Sequence, residues 1–265
     1  MRPLILALSL AVVTLNLGNI AEAKAWKSGP GYKTFVIGDE TKPTIDPVTG
    51  GFLLSGGGDW AYDAFRWFTA HAGHGHIVVL RASGTTESQD EFYNQVKGVS
   101  SVRTFLFTDR KASYDPKLLE AVKKADGIFL AGGDQSNYVR MWKGTPLNEA
   151  LDAHVAAGKP IGGTSAGLAV QGSWLYGAMD GGSITSPEAM KDPLGSAVTM
   201  ESDFLHSELM ANIVTDSHFG VRDRLGRLIA FVVKSESLRA SPNKRYAHPL
   251  VGLGIDEEAA MTVEA

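Results

Sequence analysis

The sequence predicts an α/β fold: a three-layer α-β-α sandwich around a mostly parallel central sheet. Three observations carry this. Short continuous apolar runs, with Ile77-Val78-Val79-Leu80 the clearest, suit strands covered on both faces. Segments of helical period alternate with them through most of the chain, as parallel sheets with crossover helices require. Glycine clusters at 56–58, 132–133 and 162–163 all lie at strand ends. In such a sheet they meet at the carboxyl rim, where ligands bind.

In chain order, residues 24–46 form a mixed lead-in with Pro and Gly, extended, with an edge strand at 33–37. A strand at 51–54 runs into Ser55-Gly56-Gly57-Gly58. A helix follows at 61–70, with Ala61, Phe65 and Phe68 on one face. The strand at 76–81 is followed by a helix at 89–96 and a strand at 102–107. Asp115-Pro116 opens the next helix, with Pro in its first turn, and Leu118, Leu119 and Val122 recur at helical spacing to residue 125. A strand at 127–131 stops at Gly132-Gly133-Asp134-Gln135. Helices at 136–142 and 147–157 lead to a strand at 160–163. Beyond it the pattern loosens: 183–196 reads as a loop, 225–233 as a helix, 250–255 as a strand ending at Asp256-Glu257-Glu258, and 260–263 as a last strand.

The chain has 265 residues, no cysteine and a net charge of −4, with acidic and basic residues interspersed. Thiol chemistry and disulfides are therefore excluded, and the charge balance argues against a nucleic-acid partner. Arg2, the apolar run 4–17 and Ala21-Glu22-Ala23 have the form of a cleavable export signal over residues 1–23. The expected mature chain is a single domain over 24–265, secreted or periplasmic and free of the membrane after cleavage.

The stretch at 161–170 carries the chemistry. Gly163-Thr164-Ser165-Ala166-Gly167 fits G-x-S-x-G, a strand-to-helix turn that lifts a serine hydroxyl clear of the sheet. Only small residues fit beside the serine, because strand and helix backbones nearly touch. The N–H of Ala166 opens the following helix and could meet an oxyanion. A serine nucleophile needs a base, and the base an orienting acid. His71, His74 and His76 form H-x-x-H-x-H, but without a carboxylate among them and with glycines between them they read as a solvated turn, not a metal site. His154 lies on an amphipathic helix. His218 follows a β-prone run in Val214-Thr215-Asp216-Ser217-His218-Phe219 and precedes Arg222, Arg224 and Arg227, so it is placed to reach the same rim as Ser165.

Taken together, Gly132-Gly133-Asp134-Gln135, Gly163-Thr164-Ser165-Ala166-Gly167, Asp216-Ser217-His218-Phe219 with its arginines, and Gly254-Ile255-Asp256-Glu257 resemble the cyanophycinases in order and content. These are serine peptidases related to aspartyl dipeptidases, on a fold like class I glutamine amidotransferases. The resemblance runs from about Gly51 to the C-terminus. It implies Ser165 as nucleophile, His218 as general base and Glu257 as orienting acid, although spacing alone leaves Asp256 and Glu258 open. It further implies Gly133 and Ala166 N–H groups as the oxyanion hole, and Gln135, Asp216, Arg222, Arg224 and Arg227 as substrate-binding residues. No cofactor and no metal are implied. The implied partner is a peptide, cyanophycin or another Asp-containing peptide, and a homodimer is implied as well. Guanidinium groups suit the carboxylates of a polyaspartate. Ser217 stands where cyanophycin-degrading enzymes usually have glutamine, and a polar insert at 235–248 precedes the last acid motif.

Three rival readings follow from the same residues. An α/β-hydrolase esterase would use the order Ser165, Asp216, His248. Gly56-Gly57-Gly58-Asp59-Trp60-Ala61 fits a weak dinucleotide fingerprint, with Arg81 ending the next strand. An amidotransferase-like domain could also bind a peptide without cutting it.

Overall fold

The computed structural model describes residues 24–240 and 248–264. The export segment expected at 1–23 and half of the insert expected at 235–248 lie outside the described residues. The chain opens with β1 (Lys24–Gly29), β2 (Tyr32–Gly38) and β3 (Gly51–Ser55). Then come α1 (Tyr62–His71), β4 (His76–Arg81) and α2 (Glu87–Asp90), which runs into a π-helical turn at Glu91–Val96. β5 (Ser101–Phe107) and a 3₁₀ turn at Arg110–Tyr114 precede α3 (Pro116–Lys124), β6 (Gly127–Leu130), α4 (Gln135–Trp142), α5 (Pro146–Ala156), β7 (Pro160–Thr164) and α6 (Ala166–Ala169). The remainder is β8 (Trp174–Tyr176), α7 (Ser186–Lys191), β9 (Met200–Ser202), β10 (Ile213–Asp216), α8 (Leu225–Arg239), β11 (Val251–Gly254) and β12 (Ala260–Val263).

The main sheet has the order β1-β2-β5-β4-β6-β7-β3-β12. Its five central strands, β5 to β3, are parallel, and β1, β2 and β12 extend its edges antiparallel. The apolar runs are continuous because both faces are covered. Leu54, Val78, Leu80, Ile128 and Leu130 face one core with Leu118, Val122, Trp142 and Leu151 of α3–α5. Leu53, Ile77, Val79 and Phe129 face the other with Phe65 and Phe68 of α1 and Phe92 of the π turn. Alternate side chains of each strand thus enter different cores.

Several elements differ from the sequence reading. The expected helix at 89–96 begins at Glu87 and widens into the π turn. The expected loop at 183–196 contains α7, whose Thr185 and Glu188 form a reciprocal capping box with Pro187 in the first turn. α8 runs to Arg239, past the expected end at 233. Its last turns bury Ser235 and Arg239, and Arg239 pairs with Glu236. β10 and β11 do not join the main sheet. They pair in parallel in a second sheet of order β11-β10-β8-β9, which packs against α8 through Tyr176, Val214, Leu228 and Phe231. Among the described residues no helix is long and apolar enough to cross a membrane.

Close packing at the rim sets a stability contrast. A Cβ on Gly167 would overlap the Leu130 carbonyl, whereas Gly158, at φ +68 after α5, has nothing within 4 Å of a built Cβ. G167A is expected to cost about 3 kcal/mol or more through backbone overlap. G158A should cost about 1–2 kcal/mol, from the left-handed backbone alone. Urea unfolding of the two variants measures the difference.

Candidate active site

β6, β7 and β3 are neighbours, so the loops after them meet at one edge of the sheet. Ser165 follows β7 with φ 54 and ψ −115, a backbone region costly for a residue with a side chain. The turn closes because its neighbours are glycines: a Cβ on Gly163 would overlap the Gly167 backbone. The Ser165 N–H donates to Ser55 O at 3.0 Å, and Ser165 O accepts from the N–H groups of Leu168 and Ala169. α6 is a single turn, so any field at the Ala166 N–H comes from one turn's local dipoles, not from a long helix.

Ser165 Oγ lies 2.6 Å from His218 Nε2, and His218 Nδ1 lies 2.5 Å from Glu257 Oε1. The carboxylate fixes the proton on Nδ1 and leaves the Nε2 lone pair facing the serine hydroxyl. His218 is itself at φ 46 and buried. Burial holds its pKa below the ordinary histidine value of 6.5; Arg222 and Arg224 lower it further, and the bond to Glu257 opposes them. The imidazole is therefore neutral, ready to accept a proton.

Of the three adjacent acids, Glu257 alone reaches His218. Asp256 Oδ1 accepts from the Val221 and Glu257 N–H groups at 3.1 and 2.8 Å, and these bonds hold its carboxyl below the usual aspartate range. Glu258 is turned away at φ 59, with its N–H donating to Gly57 O at 2.8 Å.

The arginines separate by environment. Arg227 is 2% exposed and bonds Asp216, itself 1% exposed, through Nε to Oδ2 at 2.7 Å and Nη2 to Oδ1 at 2.5 Å. It also donates to Ser183 Oγ and Ile184 O. Arg224 donates to Ser217 O at 2.7 Å and lies 3.5 Å from Asp216; burial and the Arg227 charge bring its pKa to about 10, so it stays protonated at neutral pH. Asp216, Arg224 and Arg227 thus bond one another and nearby backbone in a buried network. Arg222 stands apart, with its side chain 52% exposed and Nη2 3.8 Å from Glu257. Gln135, in the first turn of α4, leans on the second sheet through Nε2 to Tyr176 O at 3.4 Å.

The glycines at 56–58, which the sequence places at the carboxyl rim, lie against the histidine and the acid segment. A Cβ on Gly57 would overlap the His218 ring, and one on Gly56 would overlap Asp256 O. Their signal in the sequence is a run of three glycines at a strand end, which a dinucleotide turn shares. The dinucleotide geometry itself is not formed: Trp60 is buried and stacked on Phe65 at 3.7 Å, and Arg81 pairs with Glu87. The esterase order is not formed either, since His218 meets Ser165 and Arg227 meets Asp216. The ring nitrogens of His71, His74 and His76 go to separate partners: Trp67 O and Glu264, Gly98 O, and Ser101 with Lys42 O.

A cyanophycinase of Synechococcus elongatus is 31% identical over 192 residues, covering 71% of this chain and 52% of its own. One of Trichormus variabilis is 30% identical over 169 residues, covering 63% and 49%. The chain spans about half the length of the curated relatives it matches. A crystal structure of a peptidase from an acI-B1 Actinobacterium superposes with a TM-score of 0.52 at 17% identity, covering 81% of this chain and 83% of its own, which establishes likeness of fold. Residues 53–191, which include Ser165 and stop short of His218, match the sequence pattern of Peptidase family S51. The chain belongs to peptidase family S51.

Proposed function

We propose that the protein is a serine exopeptidase that cleaves the bond after an aspartyl residue, acting on cyanophycin to release β-aspartyl-arginine dipeptides. The observation that carries this is the unbroken line Ser165 Oγ, His218 Nε2, His218 Nδ1, Glu257 Oε1. His218 takes the serine proton as Oγ attacks the carbonyl carbon. The imidazolium, stabilised by Glu257, then protonates the departing amine, leaving an acyl-enzyme. Water, deprotonated by the same imidazole, releases the acyl group and restores Oγ–H.

The Gly132–Gly133 strand end passes against the nucleophile: a Cβ on Gly132 would lie 3.4 Å from Ser165 Cβ. This favours Gly133 and Ala166 N–H groups as the oxyanion donors, worth about 3 kcal/mol each. Arg222 is the exposed cation beside the triad, suited to a substrate carboxylate, and Gln135 flanks the oxyanion segment. Work outside the cytoplasm is the reading favoured by residues 1–23. A shorter Asp-initiated peptide is the second reading. It is favoured by Ser217, which is 3% exposed with Oγ facing Arg224, so that no side chain at this position meets a long substrate.

Purified protein incubated with cyanophycin and with Asp-Xaa dipeptides should give β-aspartyl-arginine, read by mass; cleavage of the dipeptides alone would transfer the assignment to the second reading. S165A and H218A should each lose about a thousandfold or more in kcat, with unchanged unfolding midpoints. Activity requires neutral His218, and its pKa is lowered, so the acidic limb of kcat/KM should lie below pH 6.5. R222Q removes a charge that lowers this pKa, so its acidic limb should move to higher pH. Its KM should rise about tenfold if the guanidinium binds a substrate carboxylate.

A further inference from the structure

The segment after β4 stands against the proposed oxyanion glycines. β4 neighbours β6 on the side away from β7. Gly132 faces Ser165, but Gly133, at φ +141, faces the other way, and a Cβ on it would overlap Ser83 Oγ. Ser83 is exposed, yet its loop is braced from beneath by a buried cation. Arg81, 7% exposed, donates through Nε to Ser83 O at 2.5 Å and through Nη1 to Thr85 O at 3.2 Å, and it pairs with Glu87 at 2.6 Å. Glu87 in turn accepts from the Thr85 N–H at 2.9 Å. Gly84, at φ +69, is needed because a Cβ there would overlap the Arg81 guanidinium. Tyr138 secures the glycines from the same strand end, its hydroxyl donating to Ala131 O at 2.5 Å and lying 3.2 Å from Gly132 O. Burying a guanidinium under an exposed loop is costly unless its bonds are satisfied. Here those bonds set the position of one hydroxyl beside Gly133.

The two sides of Ser165 differ. His218 approaches from the β3 side, over Gly57, so the amine it protonates departs there. The β4 side, beyond Gly133, is left to the acyl half of the substrate. We propose that Ser83 is a specificity-determining residue whose hydroxyl donates a hydrogen bond to the β-carboxylate or β-amide oxygen of the aspartyl residue being acylated, with Arg81 as its positioning residue. This rests on the serine-peptidase reading above. A neutral donor serves a free or an amidated side chain alike, since both present an oxygen acceptor.

Two phosphonate probes that differ only in carrying an aspartyl or an alanyl acyl side chain test this without turnover. The native protein should be labelled at Ser165 faster by the aspartyl probe. S83A should lose about tenfold of that preference with the alanyl rate unchanged, and S83T should restore it. R81K, which cannot span both carbonyls, should fall between. Preference retained in S83A, or both probes slowed equally, would overturn the assignment of Ser83 and leave the peptidase reading intact. Labelling by neither probe would overturn both.

Discussion

One short stretch of backbone at the end of β3 holds the line of Ser165, His218 and Glu257 together. Ser55 O accepts the Ser165 N–H, Gly56 O accepts the His218 N–H at 2.8 Å, and Gly57 O accepts the Glu258 N–H at 2.8 Å. The Gly56 N–H donates to Ala259 O at 3.0 Å. Three segments from distant parts of the chain are thereby placed against three consecutive peptide groups. Main-chain bonds are shorter levers than side-chain contacts, so they set the distances along this line tightly. The same closeness explains the glycines, because a side chain at 56 or 57 would occupy the space of Asp256 or of the imidazole.

Strain and charge are concentrated around this bracket. Ser165 and His218 both adopt left-handed φ, a conformation kept only where the surroundings over-determine it. The surroundings here are rigid: two packed cores under the sheet and the buried Asp216–Arg227 pair behind the histidine loop. That pair ties β10 to α8 and to the segment at 183–184. It leaves His218 in an environment where burial and the remaining cations favour the neutral ring, the form a general base requires.

Much of the fold was legible because the central strands obey a simple rule. A run such as Ile77–Leu80 is apolar at every position only when both faces are covered, and the helices between runs have clear periods. The turn that carries Ser165 was legible for a similar reason, since a sharp strand-to-helix turn tolerates little besides glycine and alanine around the serine. Less legible were short elements whose stability comes from neighbours. β8 and β9 are three residues each and exist by pairing within the second sheet, and α7 is six residues packed on α8. The sequence puts Gly57 at the rim but not under His218, because a glycine's signal is its permissiveness, which does not say what approaches it.

The sequence by itself determined that a serine, a histidine and a carboxylate would lie at strand ends, since local patterning places strand ends. It could not choose among Asp256, Glu257 and Glu258, nor separate Arg222 from Arg224 and Arg227. Neighbouring side chains point in different directions, and their targets are set by pairing between distant strands. The parallel register that places Asp216 opposite Gly254 decides both matters. It brings Glu257 under the imidazole, turns Asp256 to the Val221 N–H, and encloses Asp216 with Arg227, leaving Arg222 at the surface.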